Sequence, residues 1–177
     1  MSIRAPLLWL SSLLLLVGGC GSSSTDPDTL EFGAVAGNYA LTALTFDPRG
    51  VLPEMDIRSR IEPEHQPTLT LTAQGAAQLV FLDPNTELTR TVGGAFSASS
   101  TEVELTFAQN SDYPRFLLSR RMVFTYTVEP PTLTFQGPAP DGVSPGRLRE
   151  LVPDWEEEQL LDPTPGALRV VFTRSEG

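Results

Sequence analysis

From residue 37 onward, apolar residues recur at every second position in short runs. In "EVELTF" (102–107), Val103, Leu105 and Phe107 fall on one face and Glu102, Glu104 and Thr106 on the other. "MVFTYTV" (122–128) sets Met122, Phe124, Tyr126 and Val128 on one face, and "TLTF" (132–135) does the same with Leu133 and Phe135. "ALRVVFTR" (167–174) alternates Leu168, Val170 and Phe172 against Arg169, Val171 and Thr173. A period of two in runs rich in Thr, Val, Leu and Phe is the mark of half-buried strands. Four further runs, at 38–46, 68–72, 78–82 and 89–97, bring the predicted strands to eight. In the first and third of these four, large residues occupy both parities, so a bulge or a covered outer surface is expected there.

Eight strands in a meander predict an all-β fold, an eight-stranded antiparallel up-and-down β-barrel. Successive connections of such a barrel alternate between its two ends. The second, fourth and sixth, "AQGA", "ASST" and "EPPT", are short. The first, third, fifth and seventh, at 47–66, 83–87, 108–114 and 138–166, include both long segments, so one end is predicted to carry tight turns and the other the long loops. Long loops that persist in a small domain are often functional. One short helix is predicted in the last long connection. Asp154 with Glu157 forms a capping box there, and Trp155, Leu160 and Leu161 give it an apolar side.

Upstream the pattern changes. Residues 1–19 read as a signal peptide: Arg4 supplies the positive start, and 7–17 is an apolar run interrupted only by Ser11 and Ser12. A run of that length is too short to span a bilayer, which takes about 20 residues. It ends in "VGGC", which resembles a bacterial lipobox. The resemblance implies a diacylglyceryl group on the Cys20 sulfur, cleavage between Gly19 and Cys20, and a further acyl chain, typically palmitate, on the new amine. The protein is then expected in the bacterial cell envelope, held to the membrane by lipid, and Gly21 after the cysteine points to the outer membrane. Residues 20–36, the lipidated cysteine and "GSSSTDPDTLEFGAVA", read as a flexible tether, and 37–177 as the folded domain.

Charge and composition narrow the chemistry. The 22 acidic residues outnumber the 12 basic ones, all of them arginine, and the net charge of -10 argues against a nucleic-acid partner. Loss of Arg4 with the signal makes the mature balance 11 arginines against 22 acids. One cysteine and one histidine cannot build a zinc site, and without lysine there is neither a Schiff base nor a P-loop. No GxSxG elbow is present, and no cofactor is called for. His65 in "EPEHQP" reads as polar loop surface. The acidic run Asp154, Glu156, Glu157 and Glu158 reads as a first helical turn, where acids favour the helix dipole, rather than as a calcium loop. No catalytic residue and no metal ligand is assigned, and the chain is read as a non-enzyme.

At "AGNYALTAL" the chain resembles bacterial lipocalin-like lipoproteins. Gly37 and Tyr39 stand where that family has the glycine and aromatic of its G-x-W signature, and "PTLTLTAQGAAQLVF", "GGAFSASSTEVELTF", "FTYTVEPPTLTFQG" and "VVFTR" resemble its hairpins and closing strand. The resemblance implies a barrel closed at one end by Arg174 over Tyr39, a cation–π contact, and antiparallel pairing of first and last strands brings the same two residues together. An eight-stranded barrel holds one small ligand or is filled by its own side chains, and the first functional reading is a binding module for a small apolar or amphipathic molecule, with Arg120, Phe124 and Tyr126 in the interior and Trp155 over the mouth. Arg120 shares parity with Met122 and Phe124 and could meet a ligand carboxylate or phosphate, or simply be the solvated start of a strand. The other reading is an envelope protein that binds a partner protein through its long loops.

Overall fold

In β7 (Arg121–Val128) the alternation seen in the sequence becomes burial: Met122, Phe124 and Tyr126 face inward and Arg121, Val123 and Thr125 outward. The same holds for β6 (Glu102–Phe107) and for the inward Ala77, Leu79 and Phe81 of β4 (Ala76–Asp83). A computed structural model of the chain describes residues 31–48, 52–108, 119–139, 142–156, 160 and 163–175. With β1 (Gly37–Asp47), β3 (Thr68–Leu71), β5 (Leu88–Ala98), β8 (Pro131–Pro138) and β9 (Ala167–Arg174), these strands pair antiparallel in chain order, and β9 returns to β1. The fold is a closed, eight-stranded, up-and-down antiparallel barrel.

A ninth strand, β2 (Met55–Asp56), is an addition that the alternation did not signal. Since β3 has only four residues, it covers β1 over Gly37 to Ala40 alone. The far half of β1 is covered by β2 instead, with Thr45 opposite Asp56 and Phe46 opposite Met55.

The mixed parity of the first strand has a single cause. Between Leu41 and Ala43 the β1–β9 register shifts by one residue, leaving Thr42 unpaired. Tyr39 and Leu41 face inward before this bulge, and Leu44 and Phe46 after it. One extra residue restores the alternation on the other parity. Gly94 serves the neighbouring crowding between β5 and β6, where an added Cβ would lie 2.5 Å from the Thr106 carbonyl oxygen.

The connections separate as expected. Turns at 72–75, 99–101 and 129–130 occupy one end, and the long connections the other. The folded part begins earlier than the predicted boundary, however. Residues 32–35, read as tether, form a helical turn, α1 (Phe32–Val35), in which Val35 is fully buried. A four-residue helix has no intrinsic stability in water, so packing on the barrel holds it.

The helix of the last connection also lies elsewhere than predicted. It is α2 (Pro145–Arg149), capped by Ser144, whose Oγ accepts from the Arg147 N–H at 3.2 Å. Ser at the N-cap followed by Pro at the first helical position is a strong start signal. Asp154, Trp155 and Glu156 are not helical, and Glu157, Glu158 and Leu161 lie outside the described residues, as does Cys20.

Candidate functional site

The interior of an eight-stranded barrel is wide enough for one small ligand or for its own side chains. Among the described residues, side chains take the space. Tyr39, Leu69, Leu79, Val92, Val103, Leu133 and Leu168 are fully buried, and Phe124 and Phe172 retain 1–2% exposure. A cavity would leave its lining accessible to water, and these residues are not. The Phe124 ring lies 6.0 Å from Phe135 and 6.3 Å from Phe172, both in edge or tilted geometry, a favoured arrangement for aromatic pairs. Toward the loop end Phe135 is partly exposed on the inward side, as are Asp83 and Arg90, which share the parity of Phe81 and Val92 and pair at 3.5 Å.

The four residues assigned to a ligand part company. Phe124 and Tyr126 lie in the core. Tyr126 turns its hydroxyl to the tight-turn end, where it donates to the Ala34 carbonyl at 3.2 Å. Arg120 is exposed rather than inside the mouth. Its Nε donates to the Phe107 carbonyl at 3.2 Å, because the strand proper begins one residue later, at Arg121. Trp155 is at the loop end as expected, but buried to 1% and roofed by Arg60, whose guanidinium carbon lies 4.2 Å from the ring centroid.

That Arg60–Trp155 contact joins the two long connections, and others extend it. Ile57 and Ile61 from the first connection and Val143, Leu148, Leu151 and Leu160 from the seventh belong to the same apolar core. Arg149 Nε donates to the Trp155 carbonyl at 3.1 Å, and Asn85 of the third connection reaches the Arg149 carbonyl at 3.4 Å. Val143 and Thr164 exchange backbone hydrogen bonds at 2.8 Å in both directions, closing the seventh connection into a loop with a buried throat. Together these connections form a lid. Beside Arg60 a surface groove of about 400 Å³ is lined by Leu52, Glu54, Met55, Asp56 and Ser59.

His65 belongs to this lid, and its reading as loop surface is corrected by its position. The 3₁₀ turn Pro63–His65 folds the ring back against β4 and buries it to 8% exposure. Its Nδ1 lies 3.6 Å from Glu62 and its Nε2 3.7 Å from Glu87. Glu87 sits in the left-handed region at φ 54°, so a strained turn residue presents that carboxylate. Carboxylates thus stand near both ring nitrogens. Among the described residues no group of three or more His, Cys, Asp or Glu side chains is placed to hold a metal ion. Asp83, at the base of the same turn, is pushed up by burial. The Asn85 backbone N–H, Thr86 and Arg90 outweigh that and hold its carboxyl below the usual range.

At the opposite end, Tyr39 and Arg174 stand directly across from one another in the β1–β9 register. Their contact differs from the implied stacking. Arg174 lies against Gly37, where a Cβ would come within 2.5 Å of its Nε, and its Nη2 donates to the Ala36 carbonyl. Gly37, at φ 156°, leaves room for the guanidinium. Tyr39 donates to the Val35 carbonyl at 2.6 Å. Three barrel side chains thus hold three successive carbonyls of the α1 segment.

Burial pushes the Tyr39 hydroxyl up to about 12, and the neighbouring Tyr126 adds to the rise against an opposing pull from Arg174. The neutral phenol is the form the fold favours. The associated stability is fully present below about pH 10 and is lost as pH rises through about 12. An absorbance titration at high pH should therefore show one of the 3 tyrosines ionising well after the first, and the late step should vanish in Tyr39→Phe.

No described helix is long and apolar enough to cross a membrane, an observation that does not bear on strands. No protein-family model and no curated protein matches the chain. The crystal structure of a lipocalin-like protein from Bacteroides uniformis ATCC 8492, determined at 1.79 Å resolution, is similar with a TM-score of 0.43 and 13% sequence identity, over 81% of this chain and 100% of that one. The barrel assignment rests on the chain's own strand pairing, which closes β9 onto β1.

Proposed function

We propose that the protein is a lipid-anchored envelope barrel that acts without catalysis, by binding a partner protein through its lidded end. The observation that carries this reading is the filled interior, with Tyr39, Leu69, Leu79, Val92, Val103, Phe124, Leu133 and Phe172 between 0% and 2% exposed. A solid barrel leaves its outer surface to do the work. The lid is the part of that surface with irregular shape, a groove, and charges of both signs: Glu54, Asp56, Glu62, Glu64 and Glu87 with Arg58 and Arg60. Charge arrangements of this kind set specificity and association rate more than raw affinity. Cys20 carries the anchor in this reading, and the outer membrane is the destination.

A second reading is favoured by one observation, the apolar lining contributed by Phe124, Phe172 and their neighbours. A small apolar or amphipathic ligand would enter if the lid opened and these rings repacked.

Site-specific photo-crosslinking in intact cells distinguishes the two. A crosslinking residue at exposed Glu54 or Glu64 should give a discrete protein adduct, while one at the outward strand positions Thr91 or Thr125 should not. Adduct yield should fall as salt screens the lid charges. Equal adducts at all four positions, or none at any, would count against the lid as the working surface.

A further inference from the structure

We infer that the tight-turn end of the barrel rests on the lipid surface that holds the anchor, so that the lid points away from the membrane. The inference rests on the lipid-anchor reading and adds an oriented membrane contact to it.

Where the described chain begins is the first support. Glu31 and α1 lie at the tight-turn end, with Tyr39, Tyr126 and Arg174 gripping the α1 segment through the carbonyls of Val35, Ala34 and Ala36. Phe32 packs edge-on against Phe96 at 5.1 Å and over Gly75 of the first tight turn. A chain attached at Cys20 therefore has only 21–30 between lipid and barrel, rather than the whole of 21–36. Ten residues of chain reach at most about 33–36 Å. The eleven residues of β1, tilted by roughly 40°, set the lid on the order of 27 Å further along the barrel axis.

Charge gives a second, independent support. The mature chain carries 22 acids against 11 arginines, so an anionic leaflet repels it and admits its least charged face. The turns at 72–75 and 99–101 contain no charged residue, and the turn at 129–130 only Glu129. Arg174 at the same end is committed to the Ala36 carbonyl. Exposed Glu31 and Glu102 stand beside those turns, whereas the lid carries Glu54, Asp56, Glu62, Glu64, Glu87 and Asp154, with Arg58, Arg60, Arg147 and Arg149 among them.

Exposed apolar side chains supply the third. Phe32 and Val128 stand at the tight-turn end with 39% and 61% exposure. Both are of the size that enters the headgroup boundary; Phe32 turns one edge to Phe96 and leaves the rest of its ring exposed. Leu88, equally exposed at 57%, begins β5 at the lid end and serves as an internal control.

The test uses the full lipidated chain with a single thiol-reactive environment-sensitive fluorophore at Val128→Cys or at Leu88→Cys. The acylated Cys20 sulfur does not react, so the introduced thiol is the one labelled. Each protein is reconstituted on phosphatidylcholine vesicles with and without spin-labelled quencher lipid, and floated. The expected result is co-flotation of both, with the probe at 128 blue-shifted and quenched at least about twofold more than the probe at 88. Co-flotation with equal quenching, or with the probe at 88 quenched more, overturns the resting face and leaves the anchor standing. Failure to float, with Cys20 itself open to the label, overturns the anchor and the resting face with it.

Discussion

Replacing Cys20 with Ser is expected to move the protein from the membrane pellet to the soluble fraction while leaving the barrel folded. The size of the effect follows from acyl chemistry. Each buried methylene contributes about 0.8 kcal/mol, one myristoyl chain gives only marginal binding, and two or more chains give stable anchoring. The lipobox resemblance assigns Cys20 two or three chains, and serine offers no thiol to receive the diacylglyceryl group. The barrel should be indifferent. Its core runs from Val35 to Phe172, and α1 is held by Tyr39, Tyr126 and Arg174. Fractionation with a thermal melt of the released protein checks both halves. Unchanged sedimentation would remove the anchor from the account.

Replacing Trp155 with Ala is expected to cost about 3–5 kcal/mol, the range for a large buried aromatic, against a total stability on the order of 5–15 kcal/mol. For a domain of this size that is a fall in melting temperature of roughly 6–20 °C. Trp155 is 1% exposed, lies between α2 and the first connection, and supports Arg60 at 4.2 Å. Its loss would unroof the lid and not merely trim it. Its indole Nε1 is buried without a hydrogen-bond partner, a destabilising feature worth about 1–3 kcal/mol. Trp155→Phe should therefore cost much less than Trp155→Ala, since it removes that unpaired N–H while keeping most of the ring. Arg60→Ala removes the cation–π contact, which is worth about 0.5–2 kcal/mol. A double-mutant cycle between Arg60 and Trp155, read by chemical denaturation, should show coupling. Additive losses would mean that the two connections are not locked through this pair.

The barrel was legible in the alternation because burial has the same period as the strand. Val103, Leu105 and Phe107, and Met122, Phe124 and Tyr126, needed nothing beyond parity. Parity also marked β1 as irregular, and the bulge at Thr42 is the irregularity. What escaped has no period. Four residues of α1 look like tether because a single buried Val35 is not a pattern, and one of the two hydroxyls that hold them, that of Tyr126, comes from a strand 92 residues further along the chain. His65 reads as surface because its neighbours are charged and prolyl. The turn that buries it and the Glu87 that faces it meet only in three dimensions. The helix start at Ser144 and Pro145 carried a recognisable signal, weakened by Gly146 in its first turn. Arg60 and Trp155 are 95 positions apart in the sequence, and only the closure of the barrel brings their connections to one end.

The central claim is that the barrel is solid and its lid is the working surface. Titration of the purified protein with a fluorescent fatty acid, followed by probe emission and by tryptophan quenching, tests it most directly. The account predicts a linear, non-saturating response and unchanged Trp155 emission. Saturable one-to-one binding with quenched Trp155 would contradict it, and would return the function to the interior lined by Phe124 and Tyr126.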